Sequence, residues 1–179
     1  MAPHNYSGPW QNFPSIDKWI QFEDMFNRNK SSMAATGDTG EDIGRIWNAI
    51  KECAKIGVDE RVILAIIMQE SHGDVGVETT FSPGDNIPTG GLMQCGGCAG
   101  CPGRHGVSQA EITDMIRIGT EHFKGDLKAH GDKWSGESIY PALREYNSGS
   151  VNNGNLSDGQ GATASYVSDI ANRLTGWVN

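Results

Sequence analysis

The chain has 179 residues, a hydrophobic content of 37% and a formal net charge of −8, which suits one globular domain with a single core and excludes a disordered chain. Nucleic acid is not an expected partner, because a phosphate backbone is bound by a basic stripe and this acidic chain has none. A membrane partner is not expected either, since no apolar run approaches the about 18 residues that a spanning helix needs.

The first part of the chain, residues 1–40, is predicted to be an N-terminal extension that packs on a domain formed by residues 41–179. Residues 1–14 carry Gly and Pro among polar residues and are expected to be irregular. A short helix, capped by Ser15 or Asp17, is predicted to run to about residue 27. Residues 30–41, which are rich in Ser, Gly, Thr and Asp, are predicted to form a mobile connection.

Two helices are predicted next. The first runs from about residue 42 to 56, with apolar residues on one stripe and Gly57 as its C-cap. The second, residues 62–71, is apolar nearly all the way round, which indicates a helix buried in the middle of a domain. Asp59 is placed to cap its N-terminus, and Glu70 lies in its last turn.

Glu70 is a candidate general acid. Apolar surroundings and the partial negative charge of a helix C-terminus both disfavour an ionised carboxyl group. An acid that stays protonated into the mildly acidic range can protonate a leaving-group oxygen. The alternative interpretation is an exposed glutamate that ends a hydrophobic helix.

Residues 72–107 are rich in glycine and proline, and little regular structure is predicted there beyond a short hairpin within residues 79–91. A loop of this length inside a compact domain is usually functional. A capping box at residues 108–111 then opens a long helix. Ser138 is predicted to cap the next helix, with Pro141 in its first turn.

A last helix is predicted from about residue 163 to 174. The expected fold is therefore all-α, with at most a minor hairpin. A central buried helix is surrounded by other helices and lies beside a long glycine-rich loop.

The four cysteines, Cys53, Cys95, Cys98 and Cys101, are open to two interpretations. The C-x2-C spacing is that of zinc ligands. An even count also fits two disulfides, with Cys53 joined to one member of the triplet and the other two joined locally, although the sequence does not fix the pairing. We expect disulfides and a secreted protein, which the N-x-S sequons beginning at Asn5, Asn29 and Asn155 also favour.

Three short strings together resemble a family signature: E-S-H at residues 70–72, G-L-M-Q at 91–94 and E-Y-N-S-G at 145–149. In this order they are similar to the goose-type lysozymes and soluble lytic transglycosylases of glycoside hydrolase family 23, in the lysozyme-like superfamily. The resemblance covers roughly residues 43–174 and implies a lysozyme-like fold.

The resemblance implies a role for each matching residue. Glu70 is the general acid, and the residues expected to orient it or to contact the sugar are Ser71, Met93, Gln94, Tyr146, Asn147 and Tyr166. Other interpretations remain open: Tyr146 suits a core tyrosine, and Asn147 with Gly149 suits a helix C-cap.

Inverting hydrolysis needs a second carboxylate about 6.5–9.5 Å from the acid, on the opposite face of the sugar, to activate water. Asp85 is the candidate, because goose-type lysozymes carry a water-holding aspartate at the corresponding distance before G-L-M-Q. Asp74 is a weaker alternative, and residues 83–86 also form a good turn sequence that explains Asp85 without catalysis. The chain departs from the goose type at Gly96, where that family has another aspartate.

The resemblance therefore predicts a secreted, monomeric muramidase that hydrolyses the β-1,4 bond between N-acetylmuramic acid and N-acetylglucosamine in bacterial peptidoglycan. Alternatives are a chitinase or chitosanase of the same fold, a lytic transglycosylase that gives an anhydro product, a non-catalytic polysaccharide-binding module and a zinc-dependent structural module. His72 and His105 suit polar loop residues, and no histidine shows H-E-x-x-H spacing. The sequence interpretation assigns no metal and no cofactor.

Overall fold

The computed structural model describes residues 2–179, and these are mainly helical with one small antiparallel sheet. The elements are α1 Phe22–Ala35, α2 Gly40–Cys53, α3 Glu60–Ser71, β1 Thr80–Phe81, β2 Pro88–Gly90, β3 Cys95–Gly96, α4 Gln109–Ala129, α5 Gly136–Ser148 and α6 Tyr166–Leu174. Short 3-10 turns lie at Trp10–Asn12, Ile16–Lys18 and Ala54–Ile56. A mainly α-helical fold with a minor hairpin, as predicted, is confirmed.

The chain divides into two compact units. We call residues 22–121 with residue 179 the α3 unit, and residues up to 21 with residues 122–178 the α6 unit. In the described part of the chain, no helix has both the length and the apolar composition needed to cross a membrane.

The core of the α3 unit is helix α3. Every residue from Val62 to Met68 is at most 1% exposed, so the helix buries its whole circumference. The Asp59 carboxylate accepts a hydrogen bond from the Arg61 amide (2.8 Å) and caps the N-terminus. His72, in the left-handed conformation, ends the helix and donates its amide to the Met68 carbonyl. The predicted buried helix and its cap are confirmed.

The connection predicted over residues 30–41 is wrong, because α1 begins only at Phe22 and continues to Ala35. Met33 is fully buried, and Asn29 is buried with its amide donating to the Met25 carbonyl (2.8 Å). Burial of one apolar side chain thus outweighs a composition typical of loops. The helix predicted to end near residue 27 is correspondingly wrong at both ends.

Helix α2 agrees closely with prediction. Thr39 and Asp42 form a reciprocal capping box, and the helix tightens into a 3-10 turn before Gly57, whose φ of 108° ends it. The sheet is less well predicted. β1 and β2 pair through Thr80 and Thr89 as a hairpin, but the third strand, which pairs Cys95 with Gly90, was not predicted because two residues show no alternation.

The α6 unit is built on α5, α6 and the C-terminal turns of α4. The predicted start of α5 is wrong: the helix begins at Gly136, so Ser138 lies inside it and its hydroxyl donates to the His130 carbonyl (2.7 Å). Pro141 consequently lies beyond the first turn. Helix α6 begins at Tyr166, slightly later than predicted.

The N-terminal segment is bonded within the α6 unit. The His4 amide donates to the Asn172 side chain (2.9 Å), and the Tyr6 amide donates to the Ser168 hydroxyl (2.9 Å). Residues 22–40 belong instead to the α3 unit. The division into an extension, residues 1–40, and a catalytic domain, residues 41–179, stays a prediction.

Candidate active site

The C-terminal end of α3 carries the predicted acid. Glu70 is half-buried, and the next residue, Ser71, is buried with its hydroxyl shared between the Ile67 carbonyl (3.0 Å) and the Leu92 carbonyl (2.8 Å). The second of these bonds joins the end of α3 to residues 91–94, which we call the 91–94 strip. Two of the three family-like strings are therefore in direct contact.

The 91–94 strip is fixed by packing against α4. Met93 is 1% exposed, and the Thr120 hydroxyl contacts its sulfur (3.8 Å). At Gly119 of α4, an added β-carbon would lie 2.5 Å from the Met93 β-carbon. Only glycine at that position lets the strip approach the helix this closely.

Gln94 is the half-exposed member of the strip and lies in the left-handed region, with φ of 47°. Its side-chain amide donates to the Gly91 carbonyl (3.0 Å), and its side-chain oxygen accepts a hydrogen bond from the Thr80 hydroxyl (3.2 Å). The side chain therefore bridges the strip and the β1–β2 hairpin.

Asp85 lies at the exposed tip of that hairpin. One of its carboxylate oxygens accepts a hydrogen bond from the Ile87 amide (3.2 Å), which is the local turn chemistry that the sequence also suggested. Two large apolar side chains of the hairpin are exposed, Phe81 at 59% and Ile87 at 42%. The exposure of Phe81 has no local signal in the sequence, because aromatic residues of strands usually pack in a core.

The third string ends α5, in the α6 unit. Tyr146 is half-buried, and its ring centroid lies 6.2 Å from that of Phe123. The Asn147 side-chain oxygen accepts hydrogen bonds from the Thr163 amide (3.0 Å) and from the guanidinium of buried Arg144. Asn147 thus ties α5 to the loop before α6. The C-cap of α5 is Gly149, with φ of 75°, so the alternative interpretation as a cap holds for Gly149 and not for Asn147, which lies inside the helix.

Tyr166, at the start of α6, is 2% exposed. Its burial suits a supporting position more than direct contact with a polymer, and Met93 and Ser71 share that burial. Among the residues proposed to contact sugar, Gln94, Tyr146 and Asn147 are the half-exposed ones. Their contact with substrate stays a prediction.

A pair of carboxyl groups in the α6 unit escaped the sequence interpretation. Burial, and then a hydrogen bond and charge repulsion from Glu145, raise the pKa of Asp126 to about 7. Glu145 also lies 3.2 Å from the His130 ring nitrogen. No local pattern reveals this group, because its members come from two different helices and the turn between them.

The cysteines are only partly as expected. The local disulfide is confirmed between Cys95 and Cys98, but the bridge from Cys53 to the triplet is wrong, since Cys53 and Cys101 are free and buried. Cys53 instead points to the Thr113 carbonyl (3.9 Å), and burial raises the pKa of its thiol to about 11. A zinc site on the triplet is disfavoured, because disulfide sulfurs are not thiolate ligands.

The arrangement in the α3 unit provides one half-buried acid beside a tightly packed strip, and one exposed carboxylate on a hairpin. Carboxyl groups in these two environments are what acid-catalysed glycoside cleavage uses. No protein-family model matches the chain, and no curated protein matches its sequence.

Proposed function

We propose that this protein is a muramidase that hydrolyses the β-1,4 bond between N-acetylmuramic acid and N-acetylglucosamine in peptidoglycan. The observation that carries the proposal is the 2.8 Å hydrogen bond from Ser71 to the Leu92 carbonyl. It places the residue next to Glu70 against the 91–94 strip, so that two strings of the family-like signature are adjacent. The lysozyme-like fold is part of the same proposal.

Glu70 acts as the general acid. Its proton passes to the glycosidic oxygen as the bond to the anomeric carbon breaks, and a water molecule adds to that carbon from the opposite face. Asp85 accepts a proton from this water. Because the water attacks from the face opposite the leaving group, the anomeric configuration is inverted. Gln94 contacts the sugar, while buried Met93 and Ser71 hold the strip in place. Tyr146, Asn147 and Tyr166 orient the acid or contact the sugar, as the resemblance implies.

The decisive experiment replaces Glu70 by Gln, which keeps the shape of the side chain and removes the proton donor. We expect clearing of bacterial cell-wall suspensions to fall by a factor of about 10²–10⁴, the usual contribution of a general acid. Glu60→Gln is the matched control, because it makes the same change in the first turn of the same helix, where Glu60 pairs with Lys51 (3.1 Å). Clearing by Glu70→Gln at the control's rate would refute the proposal.

A polymer of glucosamine is the second candidate substrate, favoured by the net charge of −8, which attracts a cationic polymer such as chitosan. Release of reducing ends from peptidoglycan and from chito-oligosaccharides separates the two substrates. Mass spectrometry of the products separates hydrolysis from the transglycosylase route, whose anhydro product is lighter by one water. The Cys95–Cys98 disulfide supports secretion, since such bonds persist in oxidising compartments.

A further inference from the structure

We propose that Asp38, Asp74 and His105 form a binding site for one divalent transition-metal ion of the Zn²⁺ class. One ligand atom from each residue lies within 4.8 Å of the other two. The His105 ring nitrogen Nε2 is 3.2 Å from an Asp74 carboxylate oxygen and 3.8 Å from an Asp38 carboxylate oxygen. All three residues belong to the α3 unit, and the proposed catalytic groups are not among them.

The buried carboxylate of Asp38 points most directly to a ligand. Its side chain is 0% exposed, and its oxygen Oδ1 accepts a hydrogen bond from the Val75 amide (3.0 Å). The other oxygen, Oδ2, is buried without a hydrogen-bond partner. The hydroxyl of nearby Thr36 donates instead to the Met33 carbonyl (2.6 Å). An unsatisfied buried carboxylate oxygen is costly, and a bound cation removes that cost.

The backbone around Asp74 and His105 is already held in place. Asp42 accepts hydrogen bonds from the Gly106 amide (2.9 Å) and the Val107 amide (2.8 Å), which fixes the loop that carries His105. Asp74 Oδ1 accepts a hydrogen bond from the Gly76 amide (2.8 Å). Such supporting bonds orient metal ligands and strengthen their hold on the ion.

A glycine makes room for the imidazole. Gly37 has φ of 108°, and a β-carbon there would lie 3.1 Å from the His105 ring. The three ligands come from the α1–α2 connection, the loop after α3 and the loop before α4. A metal ion here would therefore cross-link three irregular segments that no helix or strand joins.

The donor set selects the class of ion. Mg²⁺ and Ca²⁺ prefer all-oxygen sites, whereas one imidazole nitrogen with two carboxylates suits Zn²⁺ and its first-row neighbours. The His105 and Asp74 side chains are 32% and 26% exposed, which leaves room for water to complete the coordination. Two carboxylates also balance the ion's charge. The sequence interpretation assigned no metal, because these residues have no short spacing that marks a site.

The test is calorimetric titration of ZnCl₂ into the intact, chelator-treated chain. We expect one ion per chain and a rise in the melting temperature. His105→Ala and Asp74→Asn should each weaken zinc binding at least about tenfold, since even changes outside the ligand set cost that much. His4→Ala is the control, because His4 is an exposed histidine of the α6 unit, and it should bind zinc as the wild type does. Circular dichroism verifies that each variant is folded.

Three results would overturn the proposal. These are no zinc binding by the folded wild type, equal affinity in His105→Ala and the control, or a thiolate charge-transfer band with Co²⁺, which would assign the metal to Cys53 or Cys101. In the first case the cluster is only an ion pair of His105 with two aspartates. Glu70→Gln should keep full zinc affinity, so the metal site and the proposed catalysis fail independently.

Discussion

The end of α3 and the tip of the β1–β2 hairpin carry the two proposed catalytic carboxyl groups in contrasting surroundings. Glu70 follows a run of residues that are at most 1% exposed, and its neighbour Ser71 is bonded to the 91–94 strip. Asp85 is exposed, and the contact that orients it is a single hydrogen bond from Ile87 within the same turn. Core packing positions the acid, whereas local turn chemistry positions the group that binds water.

This contrast predicts that substitutions in the two regions change the rate of hydrolysis by different amounts. A sheet of strands only two or three residues long contributes few backbone hydrogen bonds, so the hairpin tip belongs to the low-stability end of the unit. The helix that carries Glu70 is part of the core, so its end is displaced only when the core itself unfolds. Substitutions at the hairpin should therefore change the rate less than substitutions at α3.

Asp85→Asn tests the largest of these differences. Asparagine keeps an acceptor for the Ile87 amide and removes the charge, so the turn stays formed while the water loses its base. We expect hydrolysis of peptidoglycan to fall about 10–100-fold, less than the about 10²–10⁴-fold loss in Glu70→Gln. The measurement is the initial rate of reducing-end release.

Asp114→Asn is the control for the loss of one exposed carboxylate, since Asp114 lies on α4 and pairs with Arg117. A wild-type rate in Asp85→Asn would show that Asp85 is not the group that accepts the proton of the attacking water. The hairpin tip would then take no part in catalysis. An anhydro product from Asp85→Asn would point to attack by the substrate's own hydroxyl.

Much of the helical framework was predictable from local signals. Caps at Asp59 and Ser108, with regular apolar spacing behind them, predicted α3 nearly to both ends and α4 at its start. The errors lie where two local signals compete. Ser135 and Ser138 are both possible caps. In the structure Ser135 is the N-cap, and Ser138 lies inside α5 with its hydroxyl bonded to the His130 carbonyl.

The sequence predicted the three strings of the candidate active site, but not which of them the fold brings into contact. Nothing local indicates that the Ser71 hydroxyl reaches the Leu92 carbonyl, because that contact depends on how the long loop folds back. The cluster of Asp38, Asp74 and His105 was hidden for the same reason: each residue lies in a different connection, and only the tertiary fold brings the three together.

Gly119→Ala tests whether packing against α4 holds the 91–94 strip. The added methyl group would lie 2.5 Å from the Met93 β-carbon, and such overpacking costs roughly 1–3 kcal/mol, offset by the about 1 kcal/mol better helix propensity of alanine. We expect a net loss of about 0–2 kcal/mol in the free energy of unfolding, measured in urea, together with lower activity.

Gly125→Ala is the matched control on the same helix, since nothing lies within 4 Å of a β-carbon there. It should stabilise the protein by about 0.5–1 kcal/mol. Equal stability changes in the two variants would mean that the strip is not fixed by α4, and the acid's surroundings would then be no more rigid than the hairpin.

Asp126 tests whether burial beside a second carboxyl group, that of Glu145, raises a carboxyl pKa in the α6 unit. Its pKa of about 7 exceeds the value of about 3.9 expected in the unfolded chain. Folding therefore favours the protonated form. This contribution to stability is fully present below about pH 4 and is lost as the pH rises through about 7.

We expect Asp126→Asn to remove that decline, changing the difference in unfolding free energy between pH 4 and pH 7 by on the order of 1 kcal/mol after solvent screening. Neighbouring Glu145 and His130 remain in both proteins. Asp132→Asn, at an exposed aspartate that pairs with Lys124, should keep the wild-type decline. Identical pH profiles for the wild type and Asp126→Asn would contradict the raised pKa of Asp126.

The smallest expected effect is on stability, when the left-handed residue at the end of α3 and the one at the hairpin tip are each replaced by glycine. His72 at the end of α3 and Asn86 at the hairpin tip are both left-handed, with φ of 54° and 57°. Asparagine tolerates this conformation, whereas histidine is strained by about 1 kcal/mol, and a new glycine costs about 0.4–1 kcal/mol through the unfolded chain. His72→Gly should therefore be neutral or gain up to about 0.5 kcal/mol, and Asn86→Gly should lose about 0.5 kcal/mol, in urea unfolding. The informative quantity is the sign of the difference between the two changes in unfolding free energy. A larger loss in His72→Gly would mean that the histidine side chain itself stabilises the end of α3. The position of Glu70 would then depend on local contacts, as that of Asp85 does.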